Sequence, residues 1–94
     1  MKKIHFVGIG GAGMSAIAKI LLEKGYEVSG SDLNESEIVE KLRGLGAFIY
    51  KGHRKENIKE KDAIVVSTAI SAENPEVVAA KEAGINPVIG CEVY

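Results

Sequence analysis

Disulfides are the first thing this chain lacks the means to form: among 94 residues it carries one cysteine, Cys91. With no bridge available, the fold must be held by its own core, and Cys91 is read as a small apolar residue. Two histidines, His5 and His53, do not complete an ordinary zinc set with that one thiol, so no metal site is expected. Long apolar runs are absent too. No stretch approaches the ~18–20 residues that cross a bilayer, and the basic start MKKIHFVGIGG falls into glycines too soon for a signal peptide. A net charge of −1, with acids and bases interspersed, gives no bulk attraction to nucleic acid or to an anionic membrane. There is no G-x-x-x-x-G-K-[ST] loop for ATP phosphates, no Ser-His-Asp or Cys-His set, no repeat and no low-complexity tract. The expectation is a cytoplasmic, metal-free domain with neither nucleic acid nor membrane as partner. Its length suits one core that buries roughly 60–65% of the unfolded chain's surface.

What is present alternates between two periods. Lys3–Val7 is short, apolar and bounded by glycine, which predicts a buried strand. From Gly13 the spacing of Met14, Ile17, Ile20 and Leu21 is helical, and Lys24-Gly25 ends it. Tyr26–Gly30 reads as a second strand. Asn34 with Glu37 three residues later predicts a cap, and Ile38, Leu42 and Leu45 form an apolar face closed at Gly44–Gly46. Ala47–Tyr50 is a third strand. The charged stretch from Gly52 to Lys61 reads as a solvated loop or helical turn without an extended apolar face. Ala63–Ser67 predicts a central strand, Asn74-Pro75-Glu76 a helix start running to Gly84, and Pro87–Ile89 a fifth strand. Strands alternating with helices imply right-handed crossovers, hence an α/β, Rossmann-like, doubly wound parallel sheet of five strands. The expected order is 3-2-1-4-5, with helices on both faces and the ligand at the strands' carboxyl ends, where the order reverses.

The turn after the first strand reads VGIGGAGMS, and Gly8, Gly10 and Gly13 satisfy G-x-G-x-x-G. Each has a mechanical use: a tight turn, close approach of backbone to phosphate, and close packing of helix on sheet. Amides at the start of the following helix can then hold a diphosphate without a lysine. The bland alternative is a strand-to-helix turn and nothing more. Asp32 stands 19 positions beyond Gly13, where such domains place the acid that takes a ribose hydroxyl; it could equally cap the next helix. On these residues alone, an NAD(H)-binding regulatory or redox domain competes with a nucleotide-sugar site, and an empty interaction domain is a third reading.

Longer blocks narrow the field. HFVGIGGAGMSAIA, GSD at 30–32, LGAFIYKGH at 45–53, VVSTAISAENPE at 65–76 and AGINPVIGCE at 83–92 occur in order. Together they resemble the opening of the Mur ligases, the amide-bond-forming ligases of peptidoglycan synthesis, and within them the branch that adds L-alanine to UDP-N-acetylmuramate. The resemblance covers essentially all of residues 1–94. One departure stands out: the family commonly has an Arg-Ala-Glu-like step where this chain reads Gly90-Cys91-Glu92. The resemblance implies a single UDP-binding N-terminal domain of a three-domain enzyme. The ATP- and Mg²⁺-dependent central domain and the amino-acid-binding C-terminal domain are expected to lie outside a chain that stops at Tyr94, and no cofactor is expected on this one. It implies that ATP phosphorylates the muramate carboxyl and that the amine of L-alanine attacks the acyl phosphate, with no catalytic residue in this domain.

By the same resemblance, Gly10, Gly11, Ala12, Gly13, Met14 and Ser15 surround the substrate diphosphate. Met14 is expected to pack in the core and offer its backbone amide, while Ser15 offers a hydroxyl or merely serves the helix's first turn. Asp32, with Ser31, would meet the uridine ribose. His53 would make a polar contact with the nucleotide, or be an exposed loop histidine. Ser67, Thr68, Ala69 and Ile70 would line the uridine or diphosphate pocket, or form the turn at a strand end. His5, inside the first strand, is read as a buried and hydrogen-bonded structural residue.

Overall fold

The computed structural model describes residues 2–34 and 36–89. Within them the chain runs β1 (Lys3–Val7), α1 (Ala12–Glu23), β2 (Glu27–Asp32), α2 (Glu37–Gly44) and β3 (Phe48–Lys51). A 3₁₀ turn (Lys55–Ile58), β4 (Ala63–Val66), α3 (Pro75–Glu82) and β5 (Val88–Ile89) follow. All four strand pairings are parallel and the order is β3-β2-β1-β4-β5, as the alternation of elements predicts. The Gly90-Cys91-Glu92 step, and with it the reading of Cys91, lies outside the described residues.

The three central strands, β1, β2 and β4, are buried on both faces and divide their side chains between two cores, while Phe48 and Tyr50 of the edge strand β3 are exposed. Ile4 and Phe6 of β1, Val28 of β2 and Val65 of β4 pack with Met14, Ile17 and Ala18 of α1 and Leu42 of α2. Val7, Ile64 and Val66 point the other way, onto Val77 and Ala80 of α3 and Ile58 of the 3₁₀ turn. Alternation along a strand produces this division, and covering both faces is what makes parallel strands read as continuous apolar runs. α1 ends where Gly25 enters a left-handed conformation (φ +90°), which costs little without a Cβ.

Three local expectations need correction. α2 is capped by Ser36, whose Oγ accepts from the Val39 amide at 3.3 Å, and not by Asn34. The Asn34 amide instead donates to Asp32 Oδ1 at 3.0 Å, in the turn that leaves β2. Its buried side is accordingly Val39 and Leu42, while Ile38 and Leu45 are 40% and 52% exposed. The charged stretch after β3 is only partly solvated: Asn57 and Ile58 are buried, and Ile58 belongs to the second core. β2 also runs two residues further than its apolar content predicts, because Ser31 and Asp32 pair with Tyr50 and Lys51 of β3.

Gly30 lies in the middle of the sheet, between Phe6 of β1 and Ile49 of β3. A Cβ there would stand 2.5 Å from Cδ1 and 2.6 Å from Cβ of the fully buried Ile9, so the first core closes only over a bare backbone. Gly30→Ala is expected to cost about 1–3 kcal/mol through overpacking. Urea unfolding measures this as a lower midpoint at unchanged slope.

Candidate functional site

The glycine turn uses most of its own amides. Gly8 and Ile9 both donate to the Ser31 carbonyl, at 2.8 and 3.1 Å, and Gly11 donates to the Gly8 carbonyl at 3.1 Å. The Gly10 amide donates to Asp32 Oδ2 at 2.8 Å. α1 makes its first backbone closure from the Ser15 amide to the Gly11 carbonyl at 2.9 Å. The amides of Ala12, Gly13 and Met14 are therefore the ones left pointing out of the helix start. Gly11, the N-cap, supplies no side chain, and the first turn contains no acid. The positive end of a 12-residue helix is open to an anion.

The three motif glycines do different things. Gly8 turns the chain at φ +83°, with Ile70 and Ser67 close against it. At Gly10 a Cβ would meet Asp32 Oδ2 at 2.8 Å, so this glycine makes room for the carboxylate. At Gly13 a Cβ would meet nothing within 4 Å. The packing of helix on sheet expected for the third glycine is absent: its bare face looks into open space.

A crevice of about 320 Å³ opens beside this turn, at the reversal of strand order between β1 and β4. Gly8, Gly10 and Gly11 form one wall; Asp32, Leu33, Asn34 and Ser36 a second; His53, Ser67, Ala69 and Ile70 close it. Asp32, His53, Ser67, Ala69 and Ile70 thus come together from distant parts of the chain. Asp32 is not the cap of α2; it lines the crevice, and after accepting from Gly10 and Asn34 each of its oxygens retains acceptor capacity. Ser67 also forms the strand-end turn, its Oγ accepting from the Ala69 amide at 3.3 Å. Thr68 is exposed on the same loop but does not line the crevice. Met14 is core, and Ser15 faces a separate groove between α1 and α2 with Lys19 and Ile38.

Ser31 and His53 belong to a polar network that sequence reasoning does not reveal. Its hub is Glu76, at the second position of α3 and fully buried. Oε1 accepts from His5 Nε2 at 2.6 Å and from Ser31 Oγ at 2.7 Å. Oε2 accepts from the Arg54 amide and from Asn57 Nδ2, both at 2.9 Å. His5 Nδ1 pairs with Ser29 Oγ at 2.8 Å, and His53 Nδ1 with Ser31 Oγ at 2.8 Å. His5 is the buried, hydrogen-bonded residue expected. Ser31, by contrast, is fully buried with its hydroxyl between Glu76 and His53 and does not itself line the crevice, and His53 is only 10% exposed at its side chain, not a free loop histidine. Burial pushes the Glu76 carboxyl up, but the hydrogen bonds from His5 and Ser31, the charge of His5 and the Asn57 amide together hold it below the usual carboxylate range.

A model of the Mur ligase family, catalytic domain, matches residues 3–89. The chain belongs to the Mur ligase family. It is 62% identical over 86 residues to a UDP-N-acetylmuramate–L-alanine ligase of Desulfatibacillum aliphaticivorans, covering 92% of this chain and 19% of that protein. The UDP-N-acetylmuramate–alanine ligase of Thermotoga maritima superposes with a TM-score of 0.93 at 36% identity, covering 99% of this chain and 22% of that one. The UDP-N-acetylmuramate:L-alanyl-γ-D-glutamyl-meso-diaminopimelate ligase of Neisseria meningitides follows at 0.86 and 32%, covering 96% and 29%. The chain thus spans about a fifth of the length of the L-alanine ligases it matches.

Two expectations follow for this Mur ligase domain. Because Glu76 titrates lower folded than unfolded, its stabilisation is complete above the unfolded value of about 4.3 and is lost as pH falls through the lowered folded value. Glu76→Ala, which strands the buried donors, is expected to cost about 3–5 kcal/mol at neutral pH. Glu76→Gln should flatten the acid limb of a stability–pH profile followed by denaturant unfolding. Gly13→Ala should leave stability unchanged or raise it by up to about 1 kcal/mol, since its Cβ meets open space on a helix. The same methyl should obstruct an anion at the open amides, so thermal unfolding and ligand titration of one variant are expected to move in opposite directions.

Proposed function

We propose that the chain is the nucleotide-binding domain of a UDP-N-acetylmuramate–L-alanine ligase, and that its crevice takes the UDP part of UDP-N-acetylmuramate. One observation carries this reading: the open amides of Ala12, Gly13 and Met14 adjoin a crevice walled by Asp32, His53 and Ser67. An anionic diphosphate suits the first feature and a polar nucleoside the second. The 62% identity to a protein named for that reaction supports the choice of substrate over a dinucleotide.

In this reading the α1 amides hold the diphosphate through their N–H groups and the helix dipole, with no lysine required. The Asp32 carboxylate, aimed by Gly10 and Asn34, accepts from ribose hydroxyls on its remaining lone pairs. His53, with Ser67, Ala69 and Ile70, borders the base. These groups bind and orient the substrate in this reading, and the amide is made on the remaining domains. In this reading ATP and Mg²⁺ are taken by the remaining domains, since this sequence has no P-loop. Phosphorylation of the muramate carboxyl by ATP, and attack of L-alanine on the acyl phosphate, belong to the remaining domains of the cytoplasmic enzyme. This domain contributes by fixing the nucleotide handle of the substrate.

Titration of the ¹⁵N-labelled chain with UDP, UDP-N-acetylmuramate and NADH tests the reading. Backbone amide shifts concentrated at residues 10–15, Asp32 and 67–70 are expected with both uridine ligands, and none with NADH. A response to NADH without one to UDP would overturn it in favour of a dinucleotide domain.

A further inference from the structure

Ser31 stands between a buried carboxylate and the crevice, and the direction of its hydroxyl proton follows from counting donors. An ionised carboxylate offers about four lone-pair positions. At Glu76 all are met, by His5 Nε2, Ser31 Oγ, the Arg54 amide and Asn57 Nδ2. The Arg54 and Asn57 amide groups can only donate, and the ionised oxygens can only accept. Ser31 therefore spends its one hydroxyl proton on Oε1, 2.7 Å away. Toward His53 Nδ1, at 2.8 Å, its oxygen can only accept, so the hydrogen of that contact sits on Nδ1. Glu76 Oε2, 3.7 Å from the same nitrogen, favours a hydrogen there as well. The other ring nitrogen, Nε2, has no partner among the described residues and is not a buried unsatisfied atom, while the ring borders the crevice.

We propose that Glu76, acting through Ser31, is the positioning residue of His53: it holds the ring as the Nδ1–H tautomer and presents the Nε2 lone pair to the crevice as an acceptor for a hydroxyl or N–H of the nucleotide. The recognition half of this proposal rests on the nucleotide reading above. A purely structural Glu76 would be served by His5, Arg54 and Asn57. The arm through Ser31 ends on a histidine at the crevice, and it fixes which ligand groups fit there. A donor is accepted; an acceptor placed at that point would face a lone pair and lose its hydrogen bond.

Histidine-ring ¹⁵N NMR of the 94-residue chain at about pH 8.5, where a free imidazole is neutral, reads the tautomer directly. In the wild type, His53 is expected to show Nδ1 bearing hydrogen and Nε2 with a free lone pair. Ser31→Ala leaves His5, Arg54 and Asn57 on Glu76; its His53 is expected to shift toward the Nε2–H form that free histidine favours, with UDP binding weakened about tenfold. A wild-type His53 in the Nε2–H form overturns the proposal, and this measurement needs no variant to fold. So does a Ser31→Ala chain with native amide shifts elsewhere that keeps the Nδ1–H form or keeps its affinity for UDP. A wild type that holds the Nδ1–H form yet ignores UDP overturns the nucleotide reading instead, leaving the tautomer assignment standing, so the two failures are told apart.

Discussion

A carboxylate with no exposed surface, at the start of an eight-residue helix, decides how this domain closes. Glu76 draws donors from positions 71, 45, 22 and 19 residues away, in β1, β2, the segment after β3 and the 3₁₀ turn. An unpaired charge in that place would cost several kcal/mol, so the helix can sit on the sheet only where all four partners converge. The apolar contacts of Val77 and Ala80 supply attraction without direction; the carboxylate supplies the direction. The segment bearing Arg54, Asn57 and Ile58 is short, and much of it is charged and exposed. It is held because one backbone amide and one side-chain amide end on Glu76 while Ile58 enters the core.

The glycine turn obeys a comparable constraint at the carboxyl end of β1. Four consecutive amides, Gly8 to Gly11, are satisfied within the chain, two by Ser31's carbonyl, one by Asp32 and one by Gly8. That leaves a rigid rim and a short open patch of helix amides beyond it. The acid of β2 does not wait idle for a sugar. It already grips the turn, and Gly10 is bare because that grip requires it. A site fixed in this way loses little freedom when a ligand arrives, which is the general advantage of preorganisation.

Much of this was legible in the sequence, and the misses share one cause. The sheet order, the glycine turn and the place of Asp32 follow from alternating periods and glycine chemistry, whereas His53 and Ser67 were legible only through the resemblance to the Mur ligases. The face of α2 does not, because two polar residues, Asn34 and Ser36, both suit a cap and only tertiary packing of Val39 against the Gly10 turn selects the second. The network was hidden because its members each have an ordinary local explanation. Glu76 passes for an acid near a positive helix end, Ser31 for a pocket residue, Asn57 for part of a solvated run. A signal was nonetheless present. Ser29 and Ser31 share one face of β2, His5 lies beside Ser29 in the register, and a histidine inside a central strand requires a partner from whatever covers that face.

Stability alone is a weak reason for such a network, since well-packed apolar groups of similar volume often do as well or better than a buried ionic cluster. An apolar cluster, however, carries no information about protons. The carboxylate does: each donor that fills one of its lone-pair sites removes an alternative for Ser31, and Ser31 in turn removes one for His53. The state of the crevice histidine is thereby tied to residues that do not line the crevice, including Asn57 and Arg54. A change at either alters what Oε2 accepts, and so the balance that keeps Glu76 ionised. The closing of α3 onto the sheet and the setting of the His53 ring at the crevice are, in this domain, two consequences of one saturated carboxylate.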